Sequence, residues 1–344
     1  MFKKLLVAAL LFAAYVPSLC AQGLQAAGIA FYNLENLFDT IPNNPNGRDL
    51  EYTPSGKNQW DTRKYFNKLH NMATAIAALT TRTTPYGPAI IGVSEVENRT
   101  VLEDLVAQPE IRDWNLQICH HDSPDRRGID VGLLYNPRYF KVDNVTNHRL
   151  TTVPFATRDQ MCVVGRLLGQ PLAVIVNHWP SRLGGQEQSS PNREAAAALC
   201  LQIADSLWNV NPEIGVIIMG DLNDDPQDKS CARVLGAKRK ASDAAPHGFY
   251  NPFWKMLDDG IGTLAYKSAW NLFDQIILSG NLVNDTGDTQ WHFYKSIVHN
   301  HDFLRDTEGS RQGYPLRTFA SGSYLNGYSD HFPTEVLLVR KVKR

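Results

Sequence analysis

The chain has 344 residues, 43% of them hydrophobic, and a formal net charge of −1. That apolar content is ample for a large core, as one big domain or two small ones. The near-neutral balance excludes a broadly basic surface of the kind that coats itself with nucleic acid, so any phosphate recognition has to be local.

Residues 1–21 read as a secretory signal. Lys3 and Lys4 form a basic start, residues 5–16 an apolar run, and Ser18, Cys20 and Ala21 offer small residues for cleavage. The run is too short to span a bilayer, and no later stretch looks transmembrane, so stable membrane insertion is not expected. Cys20 offers lipid anchoring as a rival, but Pro17-Ser18-Leu19 before it matches a lipobox poorly. The mature chain, residues 22–344, is therefore expected to be secreted or periplasmic, as a single domain and a monomer. Its cysteines are Cys119, Cys162, Cys200 and Cys231, with no C-x-x-C pair, which disfavours zinc. Disulfides among them and buried free thiols are both open readings.

Residues 28–33 (G-I-A-F-Y-N) predict a first strand that delivers Asn33 and Glu35 to its end. Residues 41–58, rich in Pro, Asn, Gly and charge, predict a surface loop. Tyr65, Leu69, Met72, Ile76 and Leu79 then fall on one face of a helix over 60–79. Residues 89–93 predict a second buried strand, which runs out into S-E-V-E-N. Glu95 is the candidate there, while Glu97 suits the positive start of a helix over 101–106. Strands follow at 116–119 and 129–135. The polar loop between them holds His120 and His121, to which no role is assigned, and Arg126 and Arg127, which could meet phosphate. Residues 161–168 and 171–176 predict a hairpin around Gly169, and its second strand exits into Asn177 and His178. A histidine there either bonds a phosphate oxygen or is held by nearby backbone. Residues 184–190 predict a flexible loop and 192–208 a helix.

The most informative stretch is 214–226, I-G-V-I-I-M-G-D-L-N-D-D-P. A buried strand ends at Gly220 and is followed at once by Asp221, Asn223, Asp224 and Asp225. These side chains satisfy one another badly, and a hard cation, or a phosphate ester held by one, accounts for them better. An Asx-rich turn is the rival reading. Residues 224–248 predict a short helix plus loop, and 270–278 a strand with Asp274 in its middle. A carboxylate inside an apolar run needs a specific partner, and histidine is the obvious type. Residues 281–327 read as loop, and Ser329-Asp330-His331 precede a last strand at 334–339. Short strands with a few helices throughout favour one α/β domain.

Six motifs stand at these strand ends: Y-N-L-E-N at 32–36, S-E-V-E-N at 94–98, N-H-W at 177–179, G-D-L-N-D at 220–224, L-F-D-Q-I at 272–276 and S-D-H-F-P at 329–333. In kind, order and spacing they resemble the endonuclease/exonuclease/phosphatase superfamily. That group includes pancreatic-type deoxyribonuclease, apurinic endonucleases, neutral sphingomyelinases and inositol polyphosphate phosphatases. The likeness runs from about 29 to 339. It implies the deoxyribonuclease I-like fold, a four-layer α/β/β/α sandwich of two mostly antiparallel sheets flanked by helices, and Mg²⁺ or Mn²⁺ as cofactor. Glu95 would ligate the cation, with Glu35 as a second acidic group, Asn33 in support and Asp330 completing its surroundings. His331 would take the proton of the attacking water, orient that water, or contact the phosphate, and Asp274 would fix its tautomer. Asp221 would position the water, Asn223 would donate to the phosphate, and His178 would bind a phosphoryl oxygen.

The expected activity is hydrolysis of a phosphodiester by in-line attack of water, with a nuclease as the leading reading. A phosphatase or lipid head-group phosphodiesterase is the alternative, and a binding module without chemistry the remote one. The partner expected is a phosphate-ester substrate, with nucleic acid among the possibilities.

Overall fold

The structure is a computed structural model that describes residues 23–44, 47–266, 268–284 and 289–342. Residues 1–22, on which the expected signal and Cys20 fall, lie outside them. Strand β1 (Leu24–Leu37) leads through a long loop to helix α1 (Thr62–Ala77) and strand β2 (Ile90–Val96). Helix α2 (Arg99–Val106) follows, then β3 (Gln117–His120), β4 (Asp130–Tyr135), β5 (Phe140–His148), β6 (Gln160–Leu167) and β7 (Gln170–His178). The long helix α3 (Gln186–Val210) returns the chain to β8 (Gly215–Asp221). Beyond it come β9 (Phe249–Tyr250), α4 (Phe253–Asp258), the ribbon β10–β11 (Leu264–Tyr266, Ala269–Asn271) and β12 (Asp274–Ser279). The chain ends with β13 (His292–Val298), the ribbon β14–β15 (Phe319–Ala320, Ser323–Tyr324) and β16 (Thr334–Lys341).

Two six-stranded sheets form the centre, in the orders β13-β16-β1-β2-β4-β3 and β5-β6-β7-β8-β12-β9. Each is antiparallel except at one joint, β1–β2 in the first sheet and β7–β8 in the second. The side chains alternate as a pleated strand requires. Val174, Val176, Ile217 and Met219 join the core between the sheets, where Met219 sits directly over Gly92. Their neighbours Ala173, Ile175, Val216 and Ile218 pack outward with Ala196, Cys200, Ile203 and Ala204 of α3. On the other side α1 buries Tyr65, Leu69, Met72 and Ile76, and α2 buries Val101, Leu102 and Leu105. The expected four layers are all present.

The backbone departs from regular geometry where the strands run out. Glu35, Asn36, Glu95 and Asn223 all have left-handed φ values, 47°, 52°, 60° and 51°. Each such residue without a glycine's freedom costs about 1–2 kcal/mol. One buried Ile or Met offsets that, at roughly 1.5–3 kcal/mol.

Several expectations need correction. Residues 186–190 are helical rather than loop, because α3 starts at Gln186 and its first turns are anchored. There the Ser189 hydroxyl donates to the Gly185 carbonyl (2.6 Å), and the fully buried Arg193 reaches Ser189 Oγ (2.9 Å) and Asp224 (2.7 Å). Residues 281–327 hold β13, and β5 had no counterpart in the sequence reading. Both are edge strands, and edge strands with a wet face carry no continuous apolar run. Asp274 opens β12 instead of lying mid-strand, since the ladder breaks at Leu272 and Phe273. Glu97 does not start α2. Asn98 caps it, accepting from the Val101 amide at 3.1 Å, while Glu97 accepts from the Asp39 amide at 2.9 Å. Cys119, Cys162, Cys200 and Cys231 are all buried free thiols. Among the described residues no helix is long and apolar enough to cross a membrane.

Candidate active site

Strand register assembles most of the site. His178 pairs with Asp221 across β7–β8, and Asp221 pairs with Asp274 across β8–β12. Three polar side chains thus stand in a row at one edge of the second sheet. The close β7–β8 approach requires glycine at 220, where a Cβ would run into the Asn177 carbonyl. Asn33 leaves the first sheet opposite this row, and its amide donates to Asp221 Oδ2 at 3.0 Å.

His331 enters from the loop before β16. Its Nδ1 meets Asp274 Oδ2 at 2.7 Å, while Nε2 faces Asp221 (3.9 Å) and Asp330 (3.8 Å). Burial alone would drive the imidazole toward neutrality. Asp274, Asp221 and Asp330 outweigh it and hold the ring cationic, well above its ordinary range. Asp221 is itself buried, which pushes its carboxyl up to about 6 against the pull of His331. Its Oδ1 accepts from the Asn223 amide nitrogen at 3.0 Å.

His178 behaves in the opposite way. Burial first, and then the charges of Arg158 and Arg127, press it well below the usual imidazole range, so the ring stays neutral. Its Nε2 lies 3.6 Å from Asp221 Oδ2 and 3.9 Å from Glu95 Oε1. Arg158 fixes the strand exit beneath it by donating to the carbonyls of His178 (3.0 Å) and Trp179 (2.6 Å) and to Asp125 (2.9 Å).

Glu95, Glu35 and Asp330 complete the rim. Arg127 clamps both oxygens of Glu95 at 3.0 Å, and Glu95 also accepts from the Asn36 amide. Glu35 accepts from the Thr318 amide (2.7 Å) and hydroxyl (2.8 Å) and pairs with the buried Lys68 at 3.5 Å. Burial, and then the Asp330 charge, lift Glu35 to about 7, with Lys68 pulling the other way. Burial would raise Asp330 too, but His331, Arg317 and Lys68 prevail and hold it below the usual range.

The nine side chains chosen from the sequence therefore fall into one connected group, with two qualifications. The Asn223 side-chain amide is turned to the Trp179 carbonyl (3.0 Å). Asp224 and Asp225 lie outside the group, their oxygens taken by Arg193, Ser230, Arg182 and the Leu272 amide. The hard-cation reading thus applies to Asp221 but not to the two acids after it. Lys68, Arg158 and Arg317 were missed, and Arg127 was weighed only as a phosphate ligand.

The donors suit a hard divalent cation: Asn33, Glu35, Glu95 and Asp330 all offer oxygen. A tighter trio, Asp221, Asp274 and His331, has donor atoms within 4.8 Å of one another. There Nδ1 of His331 is committed to Asp274, which leaves Nε2 and the Asp221 carboxylate facing the site.

The profile of the Endonuclease/Exonuclease/phosphatase family matches residues 28–340. The chain belongs to that family. The family comprises metal-dependent enzymes that hydrolyse phosphate esters, and this chain is such a hydrolase. No curated protein matches the sequence. Several solved structures share the family's fold at low identity. A D. rerio TDP2 humanized by 14 mutations superposes with a TM-score of 0.57 at 14% identity, covering 91% of this chain and 98% of that one. TDP2 from C. elegans gives 0.55 at 15% identity, covering 91% and 75%. An endonuclease/exonuclease/phosphatase family protein from Bacteroides thetaiotaomicron gives 0.55 at 16% identity, covering 94% and 98%.

Proposed function

We propose that this family member is a secreted, Mg²⁺- or Mn²⁺-dependent phosphodiesterase that cleaves nucleic acid. The observation that carries the reading is the geometry at the strand ends: His331, held at Nδ1 by Asp274, turns Nε2 toward Asp221, which Asn33 and Asn223 hold in place. Above pH about 6 Asp221 is an anchored base, held by Asn33 and Asn223, that can take a proton from water. His331 keeps its proton and presents Nε2–H to a phosphoryl oxygen, and neutral His178 donates beside it. A cation held by Glu95, Glu35, Asn33 and Asp330 would neutralise the charge that grows on phosphorus-bound oxygens.

Nucleic acid is favoured by the groove. Arg48, Arg126 and Arg127, against the single acid Glu51, line a cavity of about 490 Å³ that also borders Asn36 and Tyr52, with Arg127 shared with Glu95. This is the local basic corner that a chain of net charge −1 would need for a polyanion. The solved D. rerio TDP2 complexed with single strand DNA product supplies a fold relative with that kind of ligand. The basic start and apolar run at residues 3–16 support export.

A panel of single-stranded DNA, duplex DNA, RNA, sphingomyelin and inositol phosphates with Mg²⁺ tests the substrate. Turnover confined to the last two would overturn nucleic acid as the target. Calorimetry with Mg²⁺ should show Glu95→Gln weakening the cation by at least ~10-fold. An unchanged isotherm would remove Glu95 from the cation site.

The pH profile follows from Asp221. Its acting form is the carboxylate and its folded value lies near 6, so kcat/KM should fall about tenfold per unit below that pH. Asp221→Asn should flatten this acid limb as well as lower the plateau. A limb that survives the substitution would assign the titration elsewhere.

A further inference from the structure

Among the described residues one further trio brings metal-binding atoms together: His120, Asp122 and Asp130, whose donor atoms lie within 4.8 Å of one another. It shares no residue with the catalytic rim. His120 ends β3 and Asp130 opens β4, and the pairing of His120 with Gly132 puts the two side chains on one face of the sheet. There His120 Nε2 stands 3.1 Å from Asp130 Oδ2, and Nδ1 stands 3.9 Å from Asp122 Oδ1. The imidazole and Asp130 are buried, whereas the Asp122 side chain is 85% exposed and can swing inward.

Two features suit an ion here. Atoms that share a cation at 2.0–2.2 Å stand about 3–3.5 Å apart, and the His120–Asp130 pair already meets that spacing. The other oxygen of Asp130 accepts from the Ser123 amide (2.8 Å) and hydroxyl (2.5 Å), as a ligating carboxylate is held from behind. The second feature is a cavity of about 240 Å³, which Asp122 and Asp130 line together with Glu97 and Asn98. Glu97 is 6% exposed and its Oε2 accepts from the Asp39 amide, but Oε1 has no hydrogen-bond partner among the described residues. A buried carboxylate oxygen left bare is costly, and a cation with its bound water in the adjoining cavity would offset that cost. Asp125, the remaining acid of the cavity, is spent on Arg158.

We propose that His120, Asp122 and Asp130 bind a divalent ion of the Zn²⁺ class, separate from the cation of the catalytic rim. One imidazole with two carboxylates suits zinc and its neighbours, whereas Mg²⁺ and Ca²⁺ take oxygen. No cysteine is involved, so the spacing of the four thiols does not bear on this set. Water would complete the coordination, with Glu97 accepting from it. The loop between β3 and β4, which the ion would close at its base, carries Asp125 and Arg127. Arg127 clamps Glu95, and Asp125 holds Arg158 beneath His178. The ion would brace two arginines that set the charge around the rim.

The test needs no substrate, so its failure is separate from failure of the phosphodiesterase reading. In the full chain carrying Glu95→Gln, which weakens the rim, Zn²⁺ should still titrate one site by calorimetry, and excess Mg²⁺ should not displace it. Adding Asp122→Asn or His120→Gln should weaken Zn²⁺ by at least ~10-fold. Asp122 is exposed, so its variant keeps the test decisive if His120→Gln fails to fold. Bound Zn²⁺ should also slow proteolysis within residues 121–129. Absence of a Zn²⁺ site in Glu95→Gln, displacement by Mg²⁺, or an affinity unchanged by Asp122→Asn would overturn the site. Equal proteolysis with and without Zn²⁺ would overturn its bracing of the loop.

Discussion

His331→Ala is expected to lower kcat for phosphate-ester hydrolysis by ~10²–10⁴-fold while the protein stays folded. The size follows from how the ring is held. Asp274 is completely buried and spends its Oδ2 on His331 Nδ1 at 2.7 Å, which fixes the tautomer and leaves Nε2–H facing the other carboxylates. Removing the ring deletes a charged donor from a site with little water, where no solvent molecule arrives with the same orientation. Asp274→Asn is the sharper probe. It preserves shape but withdraws a neighbouring negative charge, and such a charge shifts a titration by about 1–3 units. The alkaline limb of the pH–rate profile should therefore move to lower pH by that amount. A profile that keeps its alkaline limb in Asp274→Asn would show that the cationic imidazole is not the acting form.

Lys68→Met should cost about 3–5 kcal/mol of stability, because it breaks a buried pair from one side. Lys68 is 1% exposed on the inner face of α1, and it donates to Thr318 Oγ1 at 2.7 Å and the Tyr328 carbonyl at 2.5 Å as well as pairing with Glu35. Without it Glu35 faces Asp330 with no compensating charge. The pH dependence has a definite sign. Glu35 has a folded value near 7, above that of an unfolded glutamate. Its contribution is present at low pH and is lost as pH rises through that value. The Lys68→Met penalty should accordingly be larger at pH 8 than at pH 5, and Lys68→Met/Glu35→Gln should recover part of it. Denaturant curves at the two pH values decide the matter; equal penalties at both would mean that lost packing, not charge, is the cause.

The parts of this molecule legible in its sequence are those governed by near neighbours. Strands β1, β2, β7, β8 and β12 are central, so each shows as an apolar run, and a polar residue at its end stands out by contrast. That contrast is what picks out Asn33, Glu95, His178, Asp221 and Asp274. What stayed hidden depends on partners far along the chain. Nothing local separates Asp221 from Asp224 and Asp225, because the arginines that occupy the latter two come from α3 and the turn before it. Lys68 reads as an ordinary helix lysine until Glu35 and Thr318 are folded against it. Edge strands β5 and β13 alternate too weakly to register, one face of each being wet.

The place of the last strand has a consequence for biosynthesis. β16 is not an edge piece. It lies between β13 and β1, pairing Val339 with Ala26 and Thr334 with Phe31, and Asp330 and His331 are carried in just ahead of it. A nascent polypeptide not yet extended through residues 330–341 would have an open first sheet and no imidazole opposite Asp274. Cleavage power therefore waits until residues 330–341 have been made and paired. Phosphate esters fill any cell, and for a hydrolase of that class the delay is a safeguard built from topology alone.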